Sequence, residues 1–213
     1  MDKPPEEGRI WEWRAFGSLT EELVKSVNRY PIRSGLQNIA GEDIYFISPT
    51  NDQNVKLRRS STGWVLKFKI LLESRPLEGI QGNFELYDES LRFTYLLPVG
   101  VQPLRDAANL LSVTLPKDLQ IKAVYDREDF SAVLARANPA VVSVRVTKRR
   151  SQLAFDGGWI ELADISFPGR ETQSLSLHSP VLEEVTRMAE MIGAIPGLEP
   201  MNYVAACRRW KRG

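Results

Sequence analysis

The sequence predicts an α+β fold: a closed or nearly closed antiparallel β-barrel of roughly eight or more strands, flanked by helices. Three observations carry this expectation. Alternating, β-branched runs recur along the whole chain, helical runs are few, and no low-complexity linker divides the 213 residues. A sheet-on-helix sandwich is the structural rival.

The elements follow in order. MDKPPEEG (1–8) offers nothing to bury and reads as a flexible tail before a single domain over 9–213. IWEWRAF (10–16) alternates, with Ile10, Glu12 and Arg14 on one face and Trp11, Trp13 and Ala15 on the other. SLTEELVKSVNRYP reads as a helix, with Ser18 and Glu21 as a capping box and Pro31 closing it. DIYFIS (43–48), NVKLRR (54–59) and GWVLKFKILL (63–72) read as strands, the last two joined by the SSTG turn. NFELYD (83–88) and LRFTYLLP (91–98) predict a hairpin, and PLRDAANLLS (103–112) a short helix.

In the second half, LQIKAVYD (119–126) and AVVSVRVTKRR (140–150) read as strands, with a helix over 127–137 between them. GWIELADIS (158–166) and TQSLSLHS (172–179) complete the strands. SPVLEEVTRMAEMIG has Ser179 as N-cap, Pro180 in the first turn and Gly193 after the end. PMNYVAACRRWKR predicts a closing helix.

Composition excludes much chemistry. Cys207 is the sole cysteine, so an internal disulfide and a cysteine zinc site are ruled out. His178 is the sole histidine, which excludes a two-histidine metal motif. Any metal must be held by carboxylates, which suits magnesium or manganese. There is no GxxxxGK[ST], so no P-loop. No apolar run reaches a membrane span of about 18 residues. No signal core opens the chain, so a cytoplasmic location is expected. The net charge of +1 gives no global case for nucleic acid.

The charge is nevertheless uneven. Lys56, Arg58, Arg59, Lys67 and Lys69 fall in a segment without an acid, NVKLRRSSTGWVLKFK, while acids collect mainly in predicted helices and turns. Alternation puts Lys56 with Arg58, and Lys67 with Lys69, so four cations can share one face of a hairpin, with Arg59 outside. Facing cations repel unless an anion joins them. On that reading Lys69→Met is neutral or stabilising without ligand. The plain alternative is a solvated strand face. The functional one is an anion site, most naturally for phosphates. In RVTKRR, Lys148 and Arg150 share one face and Arg145 and Arg149 the other, with the inward pair undecided.

Taken in order, WEWR, EDIYFISP, NVKLRR, LKFK, VTKRR and WIELADI resemble the CYTH superfamily, the triphosphate tunnel metalloenzymes, over roughly residues 10–205. The resemblance implies an eight-stranded β-tunnel whose cations hold a triphosphate and whose glutamates hold magnesium or manganese. It assigns phosphate binding to Arg14, Lys56, Arg58, Lys67, Lys69, Lys148 and Arg150. Metal ligation falls to Glu12, Glu85 and Glu161, and no catalytic residue is assigned. Ile10 stands where the opening motif has its first glutamate, and Ser174 and Ser176 replace the late carboxylates. Both departures weaken the metal site more than the phosphate site.

Other conspicuous residues take plain readings. His178 reads as a surface or capping residue, Cys207 as a small buried hydrophobe, the five tryptophans as core or tunnel-rim packing, and RRWKRG as a solvated helix end. The expected function is binding of a phosphorylated anion (triphosphate, nucleotide or polyphosphate) with catalysis reduced or altered. The alternatives are an active Mg- or Mn-dependent triphosphatase using Glu12, Glu85, Glu161 or Glu171, and a non-enzymatic interaction module. Membrane and nucleic-acid partners are not expected.

Overall fold

In the computed structural model, which describes residues 8–28, 37–90, 93–117, 122–155, 157–192 and 197–211, the strands form one sheet. They are β1 (Arg9–Gly17), β2 (Gln37–Ile47), β3 (Asn54–Ser60), β4 (Gly63–Leu77), β5 (Ile80–Asp88), β6 (Thr94–Leu96), β7 (Val142–Phe155), β8 (Gly158–Phe167), β9 (Arg170–Ser179) and β10 (Leu198–Pro200). The helices are α1 (Glu21–Asn28), α2 (Val101–Leu110), α3 (Arg127–Ala137), α4 (Leu182–Ile192) and α5 (Tyr203–Trp210).

β1 pairs with both β5 and β9, so the order β1-β5-β4-β3-β2-β7-β8-β9 returns to its start. The result is a closed eight-stranded antiparallel barrel, which excludes the open sandwich. β10 and β6 are short additions to β1 and β4. A barrel of this size has room inside for side chains or one small ligand.

Alternation now has a physical meaning on each strand. Trp11, Trp13 and Ala15 of β1 face outward with Ile160, Leu175 and Leu177, and pack under Leu23 and Val27 of α1 and Val185 and Met188 of α4. Val55, Leu57, Leu66 and Phe68 face outward from β3 and β4 beneath α2 and α3, against Leu104, Leu111, Phe130 and Leu134. Each such buried side chain contributes about 1.5–3 kcal/mol. The inward face carries the charged residues, so the strands are covered on both sides.

α5 fills one end of the barrel. Its Tyr203, Val204, Ala206 and Cys207 pack on the inward-facing Phe16, Tyr45, Ile47, Val146, Ile165 and Phe167. Asn202 caps it, its Oδ1 accepting from the Ala205 N–H at 2.8 Å. Arg208 pins its far end by donating to Asp52 Oδ1, the Ser48 carbonyl and the Asn51 carbonyl. Arg209 pairs with Glu199. The RRWKR segment is thus tied to the body of the protein rather than simply solvated, with residue 212 outside the described residues. Burial pushes the Cys207 thiol up to about 12, in keeping with a small hydrophobe.

Several expectations need correction. No strand forms at 122–126, and 118–121 lie outside the described residues; Tyr125 makes only an isolated bridge to Val99 and is buried in the layer with α2 and α3. β5 does not pair with the segment that follows it. β4 spans 15 residues, long enough to pair with β3 and β6 along its first part and with β5 along its second. Thr20, not Ser18, caps α1, accepting from the Leu23 N–H. The proposed helix stops at Pro31 and Gly193, and the tail residues 1–7, lie outside the described residues. Asn202→Ala removes the α5 cap, at about 1 kcal/mol, and strips a donor from buried Glu85, at about 1–3 kcal/mol; urea denaturation is expected to show the combined loss.

Candidate functional site

The inward positions of the strands converge on one cavity of about 200 Å³. β1 supplies Glu12 and Arg14, and β2 supplies Tyr45. Asn54, Lys56 and Arg58 come from β3, Lys67 and Lys69 from β4, and Tyr87 and then Glu89 from β5 and its end. β7 contributes Lys148, Arg150 and Gln152, β8 Trp159 and Glu161, β9 His178, and α5 Tyr203. Arg59 points out, with a 68% exposed side chain near Glu42. Arg145 and Arg149 also lie outside, on Glu42 and Asp164. The inward pair of RVTKRR is therefore Lys148 and Arg150.

All seven cations named from the sequence line this cavity. Facing them are Glu12, Glu89 and Glu161, with Asp43 buried in the wall. With Glu85, which also faces inward, seven cations stand against five carboxylates, a formal excess of two positive charges. The β3–β4 register places Lys56 directly opposite Lys67, so the cross-strand repulsion anticipated for the hairpin is real at that pair. Side-chain exposure falls from 29% at Arg58 and 23% at Lys67 to 4% at Lys148, from the mouth inward to α5.

Acids remote in sequence offset most of the positive charge. Asp43 accepts from Arg58 at 2.8 and 3.0 Å and from Lys148 at 2.8 Å. Burial opposes its ionisation, but Lys148, Lys56 and Arg58 hold it well below the usual carboxylate range. Arg14 bridges Glu12 at 2.7 Å and Glu161 at 3.4 Å. Lys69 bridges Glu12 and Glu89 and lies 4.3 Å over the Tyr87 ring. Burial works against Glu161 and Glu89, yet the neighbouring cations bring each to about 2.

The weakly satisfied cation is Lys56, whereas Lys148 donates to Asp43 and to Tyr45 Oη. Lys56 has Asp43 at 3.9 Å as its ion-pair partner among the described residues. Burial and Arg58 lower it well below the usual lysine range against the pull of Asp43. Burial brings Lys148 down to about 8, also against Asp43. Asn54 Oδ1, Arg150 Nε and His178 Nδ1 are buried without a hydrogen-bond partner. Orphaned polar atoms on the wall of one cavity point to a polar occupant.

Glu12, Glu85 and Glu161 all face inward, but the donor set does not fit a divalent cation. Glu85 accepts from Tyr87 and from Asn202, both at 2.6 Å, and burial raises its carboxyl above the usual range. Each of the others already receives ammonium or guanidinium donors. Among the described residues no group of three or more His, Cys, Asp or Glu side chains is arranged to hold a metal ion. Glu171 of β9 accepts from its exposed cross-strand neighbour Ser166 on β8 and does not line the cavity.

Sequence reasoning missed Asp43, Glu89 and the tyrosines. Asp43 and Tyr45 are an i, i+2 pair like Lys56 and Arg58, and Glu89 continues the Glu85–Tyr87 alternation, so period two held the signal. His178 was misread. It is 5% exposed, stacks on Trp159 at 4.7 Å, and its Nε2 lies 2.8 Å from Ser176 Oγ. Its place on an inward-facing strand position outweighs its nearness to a helix start. Trp11 and Trp13 are core, as expected, and Trp159 lines the cavity.

Two expected outcomes follow from the pairing. Lys69→Met strips the ammonium from Glu12 Oε2 and Glu89 Oε1, leaving Arg14 on Glu12 and Lys67 on Glu89, and is expected to destabilise by about 1–3 kcal/mol in urea denaturation. This reverses the neutral-or-stabilising expectation, because Lys69 is held by carboxylates rather than facing only cations. Burial, against the pull of Glu12, lowers His178 to about 4. The unfolded chain takes up that proton near the ordinary value of about 6.5. Its contribution to stability is present above that value and is lost as pH falls toward about 4. His178→Gln should flatten this slope, at most about 1.4 kcal/mol per pH unit, between pH 4 and 7.

No family model matches the chain, and no curated protein matches it. Solved structures do. A protein from Bacillus halodurans, described as a candidate adenylate cyclase, is 13% identical and superposes over 93% of this chain and 98% of its own, with a TM-score of 0.50. A conserved hypothetical protein from Pyrococcus furiosus is 16% identical over 92% of this chain and 98% of its own, with a TM-score of 0.49. A candidate adenylyl cyclase from Hippeastrum, described as having a dominant triphosphatase activity, is 12% identical over 85% of this chain and 84% of its own, with a TM-score of 0.43. At these identities the likeness concerns the fold, and together with the closed eight-stranded barrel and its flanking helices it makes this a CYTH-like tunnel fold.

Proposed function

We propose that the chain binds a short phosphorylated anion, a triphosphate, nucleotide or polyphosphate, in the barrel cavity, with hydrolysis reduced or altered. The observation that carries this reading is the convergence of seven cations on one cavity with a formal excess of two positive charges. A phosphate chain offers many acceptor oxygens for charge-assisted hydrogen bonds. Arg58 and Lys67 stand near the mouth, and Arg150, Lys56 and Lys148 line the way inward. Lys56 stands to gain most, since an anion would supply the partner that Asp43 provides only at 3.9 Å.

The reading also gives a partner to two of the three orphaned atoms. Arg150 Nε is a donor suited to an anion. His178, kept neutral by burial, can donate from one ring nitrogen while Ser176 engages the other. Hydrolysis would need an activated water or another nucleophile. The interior carboxylates are all held by donors of the chain, which favours holding over cleaving.

Tripolyphosphate at about 100 times its dissociation constant adds about 2.7 kcal/mol, or roughly 5–10 °C in Tm for a chain of this size. Lys56→Ala and Arg58→Ala should abolish that shift. A wild-type Tm unmoved by saturating tripolyphosphate sinks the reading. Phosphate release from tripolyphosphate or nucleoside triphosphates, with magnesium or manganese, should not exceed that of the Lys56→Ala/Arg58→Ala protein. Release well above it favours an active triphosphatase instead.

The pH dependence has a definite sign. Lys148 carries its charge below about 8 and loses it as pH rises through that value. Affinity for tripolyphosphate should therefore fall between pH 7 and 9. A bound anion favours the charged lysine, so binding near pH 8 should take up protons. Titration calorimetry in buffers of different ionisation enthalpy measures that uptake.

A further inference from the structure

The interior carboxylates are fully engaged, oxygen by oxygen. Asp43 Oδ1 accepts from Arg58, and its Oδ2 from Arg58 and Lys148. Glu12 Oε1 accepts from Arg14 and its Oε2 from Lys69. Glu85 uses Oε1 for Asn202 and Oε2 for Tyr87. Glu89 Oε1 faces Lys69 at 2.8 Å and its Oε2 accepts from Lys67 at 3.4 Å. Glu161 Oε1 accepts from Arg14, and its Oε2 from Arg150 and Gln152. Every oxygen of these five groups already faces a donor of the chain, so a hard cation, which wants about six oxygen ligands, would have to compete with those donors.

One of the lysine donors differs from the others. Lys67 and Lys148 each meet one carboxylate, whereas the compact Lys69 ammonium, with its three donors, meets two. Its Nζ sits between carboxylates of two strand segments, Glu12 on β1 and Glu89 after β5, and over the face of Tyr87. Two carboxylates on one compact cation, with an aromatic face beneath, is a small-cation environment. Here the cation is covalently attached to β4.

We propose that the Lys69 ammonium occupies the cation position between Glu12 and Glu89, so that the cavity takes its anion without any divalent ion. The lysine does two jobs that a metal would otherwise share. It neutralises the carboxylates, which would repel a phosphate, and it fixes their geometry through bonds that do not depend on metal supply. Lys69 is then a specificity-determining residue: it excludes divalent ions from the cavity and leaves Lys56, Lys67, Lys148, Arg58 and Arg150 to meet the anion. This rests on the anion-binding reading for the ligand, but the exclusion of the metal stands on the carboxylate partners alone.

The experiment separates the two. Tm is measured for the wild type and for Lys69→Gln with MnCl2 alone, without any phosphate. Tripolyphosphate binding to the wild type is measured by calorimetry with EDTA and then with added Mn²⁺. The expected result is a wild-type Tm that Mn²⁺ does not move and binding of tripolyphosphate in EDTA. Lys69→Gln should gain a rise of several degrees with Mn²⁺, because the position between Glu12 Oε2 and Glu89 Oε1 then holds no cation. Lys69→Met serves as a second variant where the glutamine protein does not fold. A wild-type Tm that rises with Mn²⁺ alone overturns the proposal, as does tripolyphosphate binding seen only with Mn²⁺. A variant as indifferent to Mn²⁺ as the wild type also counts against it. Absence of tripolyphosphate binding under both conditions removes the anion reading, while the Mn²⁺ arm still decides the role of Lys69.

Discussion

Closing the barrel puts charged strand faces inside, and every charge there needs a partner. An ion moved from water into a protein interior loses solvation worth several kcal/mol, and only an opposite charge in good geometry restores it. Glu12, Arg14, Asp43, Lys56, Lys69, Lys148 and Glu161 are each under a tenth exposed. The architecture answers this constraint in three groups: Asp43 with Arg58 and Lys148, Arg14 between Glu12 and Glu161, and Lys69 between Glu12 and Glu89. The strands that bear these residues come together only in a closed sheet, so the closure of β1 on β9 and the charge pairing depend on each other.

The pairing is deliberately incomplete on the positive side. Seven cations meet five interior carboxylates, and Lys56, opposite Lys67 with its nearest carboxylate at 3.9 Å, carries the residue of the repulsion. A protein selected only for stability would gain by replacing a buried lysine of this kind with an apolar side chain. The proposed anion would supply the missing partner and complete the pairing. The negative side is different. Each of its oxygens already faces a donor of the chain, which disfavours a divalent cation.

The α5 helix gives the cavity its shape. Its apolar residues fill one end of the barrel, and Tyr203 stacks on Tyr45 at 5.5 Å with Lys148 3.7 Å from its ring centroid. The deep wall is thus aromatic and cationic, and the opposite end carries the more exposed Arg58 and Lys67. Asn202 joins this helix to Glu85 on β5, so the end wall and the carboxylates are one bonded unit.

Period-two alternation on a single strand is a local property, and it made much of the site legible. It separated Lys56 and Arg58 from Arg59, put Glu12 with Arg14, and paired Lys67 with Lys69. It also marked Trp11 and Trp13 as the opposite, apolar face. The barrel class followed from the number of such strands. What alternation could not show was who meets whom. The positions of Asp43, Glu89 and His178 in the cavity, the inward choice of Lys148 and Arg150 over Arg145 and Arg149, and the failure of 122–126 to join the sheet all came from strand order. The decisive contacts are long-range: Lys69 and Glu12 are 57 residues apart, Lys148 and Asp43 105, and Arg14 and Glu161 147. The sequence by itself determined which faces carry charge, because the pleat is set residue by residue. Only the tertiary structure decided which charges neutralise one another, because that depends on the closure that brings distant strands together.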